Sequence, residues 1–500
     1  MGQEETNNEK QKEQKLVLTP SQQRAFEQFQ QFLEDDTKVF ILKGYAGTGK
    51  TTLVNTFIEE LKKQNEPFKL LASTGRAAKI IRDKINQPDE EEIGIEVKTV
   101  HSAIYTFKDL NQDLDTVYKD IDEAPKMDST GQLLLMFSFD EIEDQPYERC
   151  FYIVDEASMI GDMPDLNPSQ AVFGSGKLLN DLLTYDSKGK FIFVGDDCQL
   201  PPINEKLSPA LSDSYISTKF GFSCVTAEMN QIVRQSSDND IIKASHQIRR
   251  LKENPPYQSW SEWYKFPLRG YHNITICPSE ADLINRYIKD VKANGYEHST
   301  MICKSNKNSF LLSNLIRPAL GMQDPVLAVN DLLLVTQNNL LTGLMNGDLV
   351  RVTQIGAMQE VAYLTFLQVE VEEIVTKRKF TQLLIADILH SGIVNLTPDQ
   401  QKRLYIDYYF RMKKKGISQK SEKFKEGMYD DIYLNALRAT FGYAITCHKS
   451  QGGEWKNVYL NIPRILAKNS GSAEYQWLYT AMTRATDNLF INDDFFIANK

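Results

Sequence analysis

Val39-Phe40-Ile41-Leu42-Lys43-Gly44-Tyr45-Ala46-Gly47-Thr48-Gly49-Lys50-Thr51-Thr52 begins with four apolar residues and ends in a Gly-x-x-x-x-Gly-Lys-Thr run. The apolar quartet predicts a short buried strand, the glycines a turn with inward-pointing N–H groups, and the residues from Lys50 onward a helix. A helix amino terminus carries partial positive charge, so turn and helix together make a cradle for phosphate oxygens. Gly44, Ala46, Gly47, Thr48, Gly49, Lys50, Thr51 and Thr52 are the expected cradle residues, with the Lys50 ammonium on the outer phosphates and the Thr51 hydroxyl on Mg2+.

On the amino-terminal side, Thr19-Pro20-Ser21-Gln22 reads as a helix start: Thr19 can cap, Pro20 suits the first helical position, and Gln22 stands where a capping box needs it. Phe26, Phe29 and Phe32 follow at helical spacing. On the other side, a helix to about Lys63 precedes a strand at Lys69 to Ala72. Alternating strands and helices predict a parallel sheet covered by helices. Two further buried runs, Cys150 to Val154 and Lys190 to Val194, each end in acids. Ligands of such sheets lie at the carboxyl ends of the strands, where Asp155, Glu156 and Gln199 fall. Phosphoryl transfer needs a metal ligand and a group that orients or deprotonates water. Asp155 is expected to hold Mg2+ through water, Glu156 to act as base, and Gln199 to contact the terminal phosphate and its attacking water. An acidic helix cap explains one such carboxylate equally well, and a lone Gln in a loop means nothing; the pairing with Lys50 gives them their role.

The chain has 500 residues, 41% apolar and 25% charged, enough for more than one core. No apolar run approaches the roughly 20 residues that span a bilayer, and Met1 to Lys15 lack the apolar centre of a secretory signal. No membrane contact and a cytoplasmic location are expected. Cys150, Cys198, Cys224, Cys277, Cys303 and Cys447 are scattered without zinc-ligand spacing and read as reduced core thiols. The net charge of −10 argues against holding nucleic acid by bulk attraction, though not against a local cationic groove. Residues 1–15 are too polar to bury a core and are expected to be disordered. Ile104 to Glu148 breaks the α/β pattern and reads as an inserted subdomain, whose Tyr105, Phe107, Phe137 and Phe139 are either a base-stacking surface or, more simply, its core. A second α/β region is expected from near Thr226, with late pieces at Ala439 to Thr446 and Val458 to Ile462. It is interrupted by strands around a tight turn at Asn346-Gly347 and by a Lys/Arg-dense helical stretch, Thr397 to Lys425, which is either a solvated face or a nucleic-acid contact.

Read in order, these segments resemble the superfamily 1 helicases, specifically the RecD-like and Dda-like branch, superfamily 1B. The resemblance covers most of the chain. It implies an α/β fold with two RecA-like parallel-sheet motor domains. The first would comprise 16–102 and 149–225 around a pin subdomain at 103–148. The second would comprise 226–340 and 435–500 around an insertion at 341–434 that holds a small SH3-like β-barrel and the basic helical segment. It also implies ATP and Mg2+ as cofactors and single-stranded or tailed duplex DNA as partner. Movement would run 5′ to 3′ by a chain competent as a monomer, with room for replication or recombination protein partners.

Residue by residue, Leu18 to Gln22 is similar to the Q motif, which adds an adenine contact to the capping role of Gln22. Ala72 to Ala78 is similar to motif Ia and Thr99 to Ser102 to motif Ib, which puts Ser73, Thr74, Thr99 and His101 on the DNA backbone; for each, a helix cap or loop bond is an equal alternative. Asp155-Glu156-Ala157-Ser158 and Gln199-Leu200-Pro201-Pro202 carry this branch's endings. Arg234, in Ile232-Val233-Arg234-Gln235, and Arg484, in the run Tyr479 to Ala485, are similar to motifs IV and VI, whose arginines reach the γ-phosphate. An arginine from the second domain acts only when the cleft is shut, which couples hydrolysis to closure. Thr446 to Gly452 is similar to motif V, with Thr446, His448 and Lys449 toward DNA and Gln451 and Gly452 toward the nucleotide. Tyr45 departs from the small residue or proline of this branch's phosphate loop, which raises the expectation that its ring alters nucleotide access.

Two readings stay open beside this one. Backbone contacts discriminate sugars poorly, so an RNA-directed helicase of the related branch fits the same residues. A phosphate-loop ATPase that switches a protein partner without translocating fits the nucleotide residues alone.

Overall fold

The computed structural model describes residues 18–85, 95–123, 133–140, 149–164, 171–232, 239–255, 265–463, 472–492 and 497–500. The amino-terminal tail and Arg234 lie outside the described residues.

Six parallel strands form the first sheet, in the order Val97–Thr99, Phe68–Ala72, Phe151–Asp155, Lys190–Gly195, Val39–Gly44, Cys224–Met229. Successive residues of Val39–Gly44 enter opposite layers. Phe40 and Leu42 pack with Phe29, Phe32, Leu53 and Phe57, whereas Val39 and Ile41 pack with Val154, Leu179 and Phe193. A strand covered on both faces is apolar at every position, which is why an unbroken apolar quartet marks the middle of this sheet. Helix Pro20–Glu34 starts with the capping box read from the sequence: the Gln22 N–H donates to Thr19 Oγ1, and the Thr19 N–H to Gln22 Oε1. Helix Lys50–Lys63 begins directly after Gly49.

Five parallel strands form the second sheet, in the order Ile274–Cys277, Ala485–Asn492, Trp455–Leu460, Ser299–Cys303, Ile445–Thr446. The two-sheet α/β fold is as expected, but the strand pairings divide the chain differently. Cys224–Met229 pairs in parallel with Val39–Gly44, Thr226 against Ile41, so the second half begins after this strand. As an edge strand it carries Thr226 and Glu228, which disguised it as the opening of a new region. The run Ala439 to Thr446 is two strands: Ala439–Phe441 pairs antiparallel with Leu332–Val335, and Ile445–Thr446 pairs parallel with Ser299–Cys303. Gly442 lies where the chain changes sheet, and a Cβ there would stand 2.8 Å from the Leu349 side chain and 3.0 Å from the Leu333 backbone.

The second insertion is consequently a five-stranded antiparallel sheet, Lys379–Ile385, Leu364–Glu373, Leu349–Val361, Leu332–Val335, Ala439–Phe441, which borrows a strand from each flank of 341–434. One bridge, Leu384 to Leu437, joins its two edges. The first insertion pairs Tyr105–Leu110 with Leu135–Phe139 and gains a third strand, Ala171–Phe173, from beyond residue 148. Its rings pack with one another: Tyr105 on Phe139 with 5.9 Å between centroids, Phe107 on Phe137 with 5.6 Å. The two insertions share a core in which Leu110, Leu114 and Leu133 meet Phe366, Leu404 and Tyr408. In the basic stretch, Arg411 pairs with Asp407 and Asp431, and Lys413 with Asp115. All six cysteines are free, and no helix among the described residues is long and apolar enough to cross a membrane.

Candidate nucleotide cleft

The phosphate loop takes its shape from its glycines. Gly47 and Gly49 have φ of 81° and 79°, values that L side chains rarely adopt. The buried Thr48 hydroxyl donates to the Tyr45 carbonyl at 2.8 Å. Lys50 Nζ donates to the carbonyls of Gly44 at 2.7 Å and Tyr45 at 3.2 Å, which holds the ammonium against the loop. Across from it, strand Phe151–Asp155 ends in the two carboxylates. Glu156 turns through a left-handed backbone conformation, φ 51°, uncommon for a non-glycine residue and typical of functional turns. Its N–H donates to Asp155 Oδ1 at 2.8 Å. Burial, and then the Glu156 charge, raise the Asp155 carboxyl above its ordinary range, against the backbone bond and the Lys50 charge.

These groups line a cleft of about 580 Å³ together with Thr51, Thr52, Ala46, Gln199, Gly452 and Arg484. The second half of the chain supplies the far wall. Arg484 is 5% exposed. Its Nε donates to the Thr480 carbonyl at 3.1 Å, and its other nitrogens to the Gly453 carbonyl and the Thr483 hydroxyl. None of these partners is a carboxylate. A buried guanidinium with neutral partners only is unfavourable without an anion nearby. Gln199 Oε1 and Gln451 Oε1 are buried and lack a hydrogen-bond partner. A triphosphate suits this donor set, since the loop amides, Lys50 and Arg484 are all cationic or N–H groups. The oxygen ligands of Asp155 and Thr51 suit a hard cation such as Mg2+. When bound, that ion would neutralise phosphate charge.

The two halves are bolted together around this cleft. Tyr45, Cys198 and Leu200 join the core of the second half, and the Arg249 guanidinium lies 3.2 Å above the Tyr45 ring. The unusual tyrosine of the loop is thus a packing contact between halves. In the lining of the same cleft, Arg76 donates to the Gly347 carbonyl at 3.2 Å and stacks 4.7 Å from the Trp455 ring. Lys79 pairs with Glu373 at 2.7 Å and approaches Asp348 at 3.8 Å.

The remaining expected residues divide. Gln22 spends both ends of its amide locally, Oε1 on the capping box and Nε2 on the Thr48 carbonyl at 3.3 Å, so it braces the phosphate loop from behind. Thr74 receives the Ala77 N–H, and Thr99 forms a capping box with Ser102, so both hydroxyls act as helix caps here. Ser73 Oγ is buried without a partner. His101 packs edge-on against Phe173 at 5.0 Å, and burial keeps its ring below the ordinary pKa. Thr446 and Lys449 line a small cavity with Asn306, Ser309 and Phe310. Burial lowers Lys449 to about 8, and burial followed by the Lys304 charge lowers His448. Arg76 and Ala77, which follow Ser73-Thr74, lie near the loop of Lys449 to Gly452: a Cβ on Gly452 would stand 3.5 Å from Ala77, and one on Gly347 3.9 Å from both Arg76 and the Lys449 carbonyl. Asp196, Arg76 and Tyr479 fall inside segments read from the sequence and Lys79 directly after one, yet the sequence assigned none of them a role. Each acts across the cleft, and spacing along the chain does not report such pairings.

Two family models match the chain, an AAA domain over residues 17–257 and a UvrD-like helicase C-terminal domain over residues 441–491. An uncharacterized protein of Acanthamoeba polyphaga mimivirus is 23% identical over 95% of this chain and 99% of its own length. The ATP-dependent RecD2 DNA helicase of Deinococcus radiodurans is 25% identical over 42% of this chain and 21% of its own length. A Pif1 helicase from Bacteroides, solved with ADP-AlF3 and ssDNA, aligns over 96% of this chain and 93% of its own with 15% identity and a TM-score of 0.45. The first model spans every loop of the first sheet that reaches the cleft, and the second spans the motif V and Arg484 segments facing them. Both family models, with one cleft assembled from the segments that they match, support a superfamily 1 helicase of the RecD type, an ATP-driven helicase enzyme.

Proposed function

We propose that this chain is a single-stranded DNA translocase that unwinds tailed duplexes 5′ to 3′, with MgATP bound in the cleft and the strand crossing both halves. The observation that carries this reading is Arg484: a buried arginine from the second half, with no carboxylate among its hydrogen-bond partners in the described residues, in the same cleft as Lys50 and Glu156 of the first. Charge on the transferring phosphoryl group is stabilised by that arginine only when the cleft is shut. Lys50 and the loop amides bind the phosphates, Glu156 takes the proton of the attacking water, Gln199 orients that water, and Asp155 and Thr51 hold the metal ion.

The strand is assigned to the loops of Ser73-Thr74 and Thr446 to Lys449, with Thr99 and His101 at the strand end next to Ala72. Their hydroxyls, amides and cations suit backbone phosphates and do not read bases. DNA is favoured over RNA because the Deinococcus relative is named a DNA helicase and the Bacteroides structure held ssDNA. In this reading residues 103–148 form the pin subdomain, the curled antiparallel sheet is the SH3-like element, and Gln22 also meets adenine. Duplexes with a 5′ or a 3′ tail, challenged with oligo-dT or oligo-U competitors, test the proposal. Unwinding restricted to the 5′-tailed DNA, with oligo-dT the stronger competitor, is expected. Preference for the 3′ tail or for oligo-U would contradict it.

A further inference from the structure

Tyr479 belongs to helix Ala473–Met482 of the second half, and its side chain is 2% exposed. Its hydroxyl donates to Asp196 Oδ2 at 2.7 Å and accepts the N–H of Ala46, in the phosphate loop, at 3.2 Å. Both partners belong to the first half. The other Asp196 oxygen accepts the Cys198 N–H at 3.0 Å, and the Asp196 carbonyl accepts the Gln199 N–H at 3.1 Å. Asp196 is therefore the root of the turn that presents Gln199.

The same face of the helix grips that turn twice more. Gln476 Nε2 donates to the Gln199 carbonyl at 3.3 Å, and the Leu200 N–H donates to Thr480 Oγ1 at 2.9 Å. Residues 476, 479 and 480 lie three and four apart, the spacing of one helical stripe. Arg484 follows the end of this helix and is tied back to it through the Thr480 carbonyl. One rigid element thus carries the arginine and holds the loop bearing Gln199. Of its three gripping side chains, Tyr479 alone also touches the phosphate loop among the contacts described.

We infer that Tyr479 is a positioning residue of the hydrolytic site: its hydroxyl, shared between the Ala46 amide and the Asp196 carboxylate, sets Gln199 and Arg484 at working distance across the cleft. The inference rests on the proposed roles of Gln199 and Arg484. It concerns the chemical step rather than nucleotide affinity, because the hydroxyl meets Ala46 at the outer turn of the loop and leaves Lys50 and Thr51 unengaged.

Tyr479→Phe removes only the hydroxyl, and Asp196→Asn removes the charge it serves. With oligo-dT saturating, Tyr479→Phe is expected to lower kcat about tenfold or more, while KM for ATP and the affinity for a fluorescent ADP analogue stay within about twofold, the split that marks a group acting in the transition state. The double variant should be no slower than the slower single one, since both break one unit. An unchanged kcat in Tyr479→Phe would overturn the inference. So would a loss of kcat and analogue binding in proportion to the folded fraction, or effects that multiply in the double variant. If oligo-dT left the wild-type rate unchanged, the strand-coupled reading would fail, and kcat without strand in the same variants would still decide the role of Tyr479.

Discussion

The first sheet brings its carboxyl edge to the cleft, through the loops after Val39–Gly44, Phe151–Asp155 and Lys190–Gly195. The second brings its amino edge, through the residues just before Trp455–Leu460 and Ala485–Asn492. In a lone parallel sheet the carboxyl edge holds the ligand, and the first sheet follows that rule with a phosphate cradle, paired carboxylates and a buried glutamine. The second sheet keeps its carboxyl edge for another surface, the cavity of Thr446, Lys449 and Asn306, and gives the cleft a guanidinium. The chemistry is therefore complete only when the two edges meet, while the other edge of the second sheet lines a separate cavity, where the proposed function puts part of the strand. An arrangement of this kind makes hydrolysis report on the distance between halves.

Removing the first sheet's main cation should have the largest effect. Lys50→Ala is expected to cut turnover by about 10⁴-fold or more, since it loses phosphate binding and charge stabilisation together, while oligo-dT affinity measured by fluorescence anisotropy persists. Loss of both would mean that the cradle also shapes the strand surface. Arg484→Ala, the matching change on the second sheet, should lower kcat by about 10³-fold with a far smaller change in KM, and Arg484→Lys should recover little of it because the planar fork is lost. An Arg484 variant that loses ATP affinity and keeps kcat would place the arginine in ground-state binding. Glu156→Gln should lower kcat by about 10²-fold, measured under single-turnover conditions.

Two smaller effects probe the docking itself. Lys79→Ala leaves the buried Asp348 and Glu373 without their shared cation and should weaken the contact between halves by about 2–3 kcal/mol, read as faster amide exchange in residues 345–349 and 373–377. The smallest is a pH effect. Burial, and then the Lys304 charge, hold the His448 ring below its ordinary pKa. The unfolded chain takes up that proton more readily, so the contribution to stability is complete above the unfolded value of about 6.5 and declines as the pH falls below it. His448→Gln should flatten that part of the stability curve, followed by denaturant unfolding from pH 7 to pH 5; an unaltered slope would show that the ring charges freely in the folded chain.

The first sheet was legible because its signals are local. An apolar quartet, left-handed glycines and a capping box each report on a few neighbouring residues, and the structure places Lys50, Thr51, Asp155, Glu156 and Gln199 in or beside one cleft. The second sheet was harder for physical reasons. Ile445–Thr446 is only two residues long, and the chain passes from one sheet to another at Gly442 within a single apolar run. Cys224–Met229 hid its membership of the first sheet behind edge-strand polarity. The bolts between the halves, Tyr45 under Arg249, Arg76 on Trp455 and Tyr479 on Asp196, join residues about 200 to 380 positions apart. Such contacts follow from the fold and leave no periodic trace. The caps at Thr74 and Thr99 show the converse, since a hydroxyl expected on a strand already has a local use.

Steady-state ATP hydrolysis with and without a short oligo-dT strand, at low and moderate salt, tests the central claim most directly. A site completed only by closure of two halves, with the strand bound across both, predicts strong stimulation by oligo-dT that weakens as salt screens the phosphate contacts. Hydrolysis that proceeds at one rate with or without the strand would contradict the account and leave a phosphate-loop switch in its place.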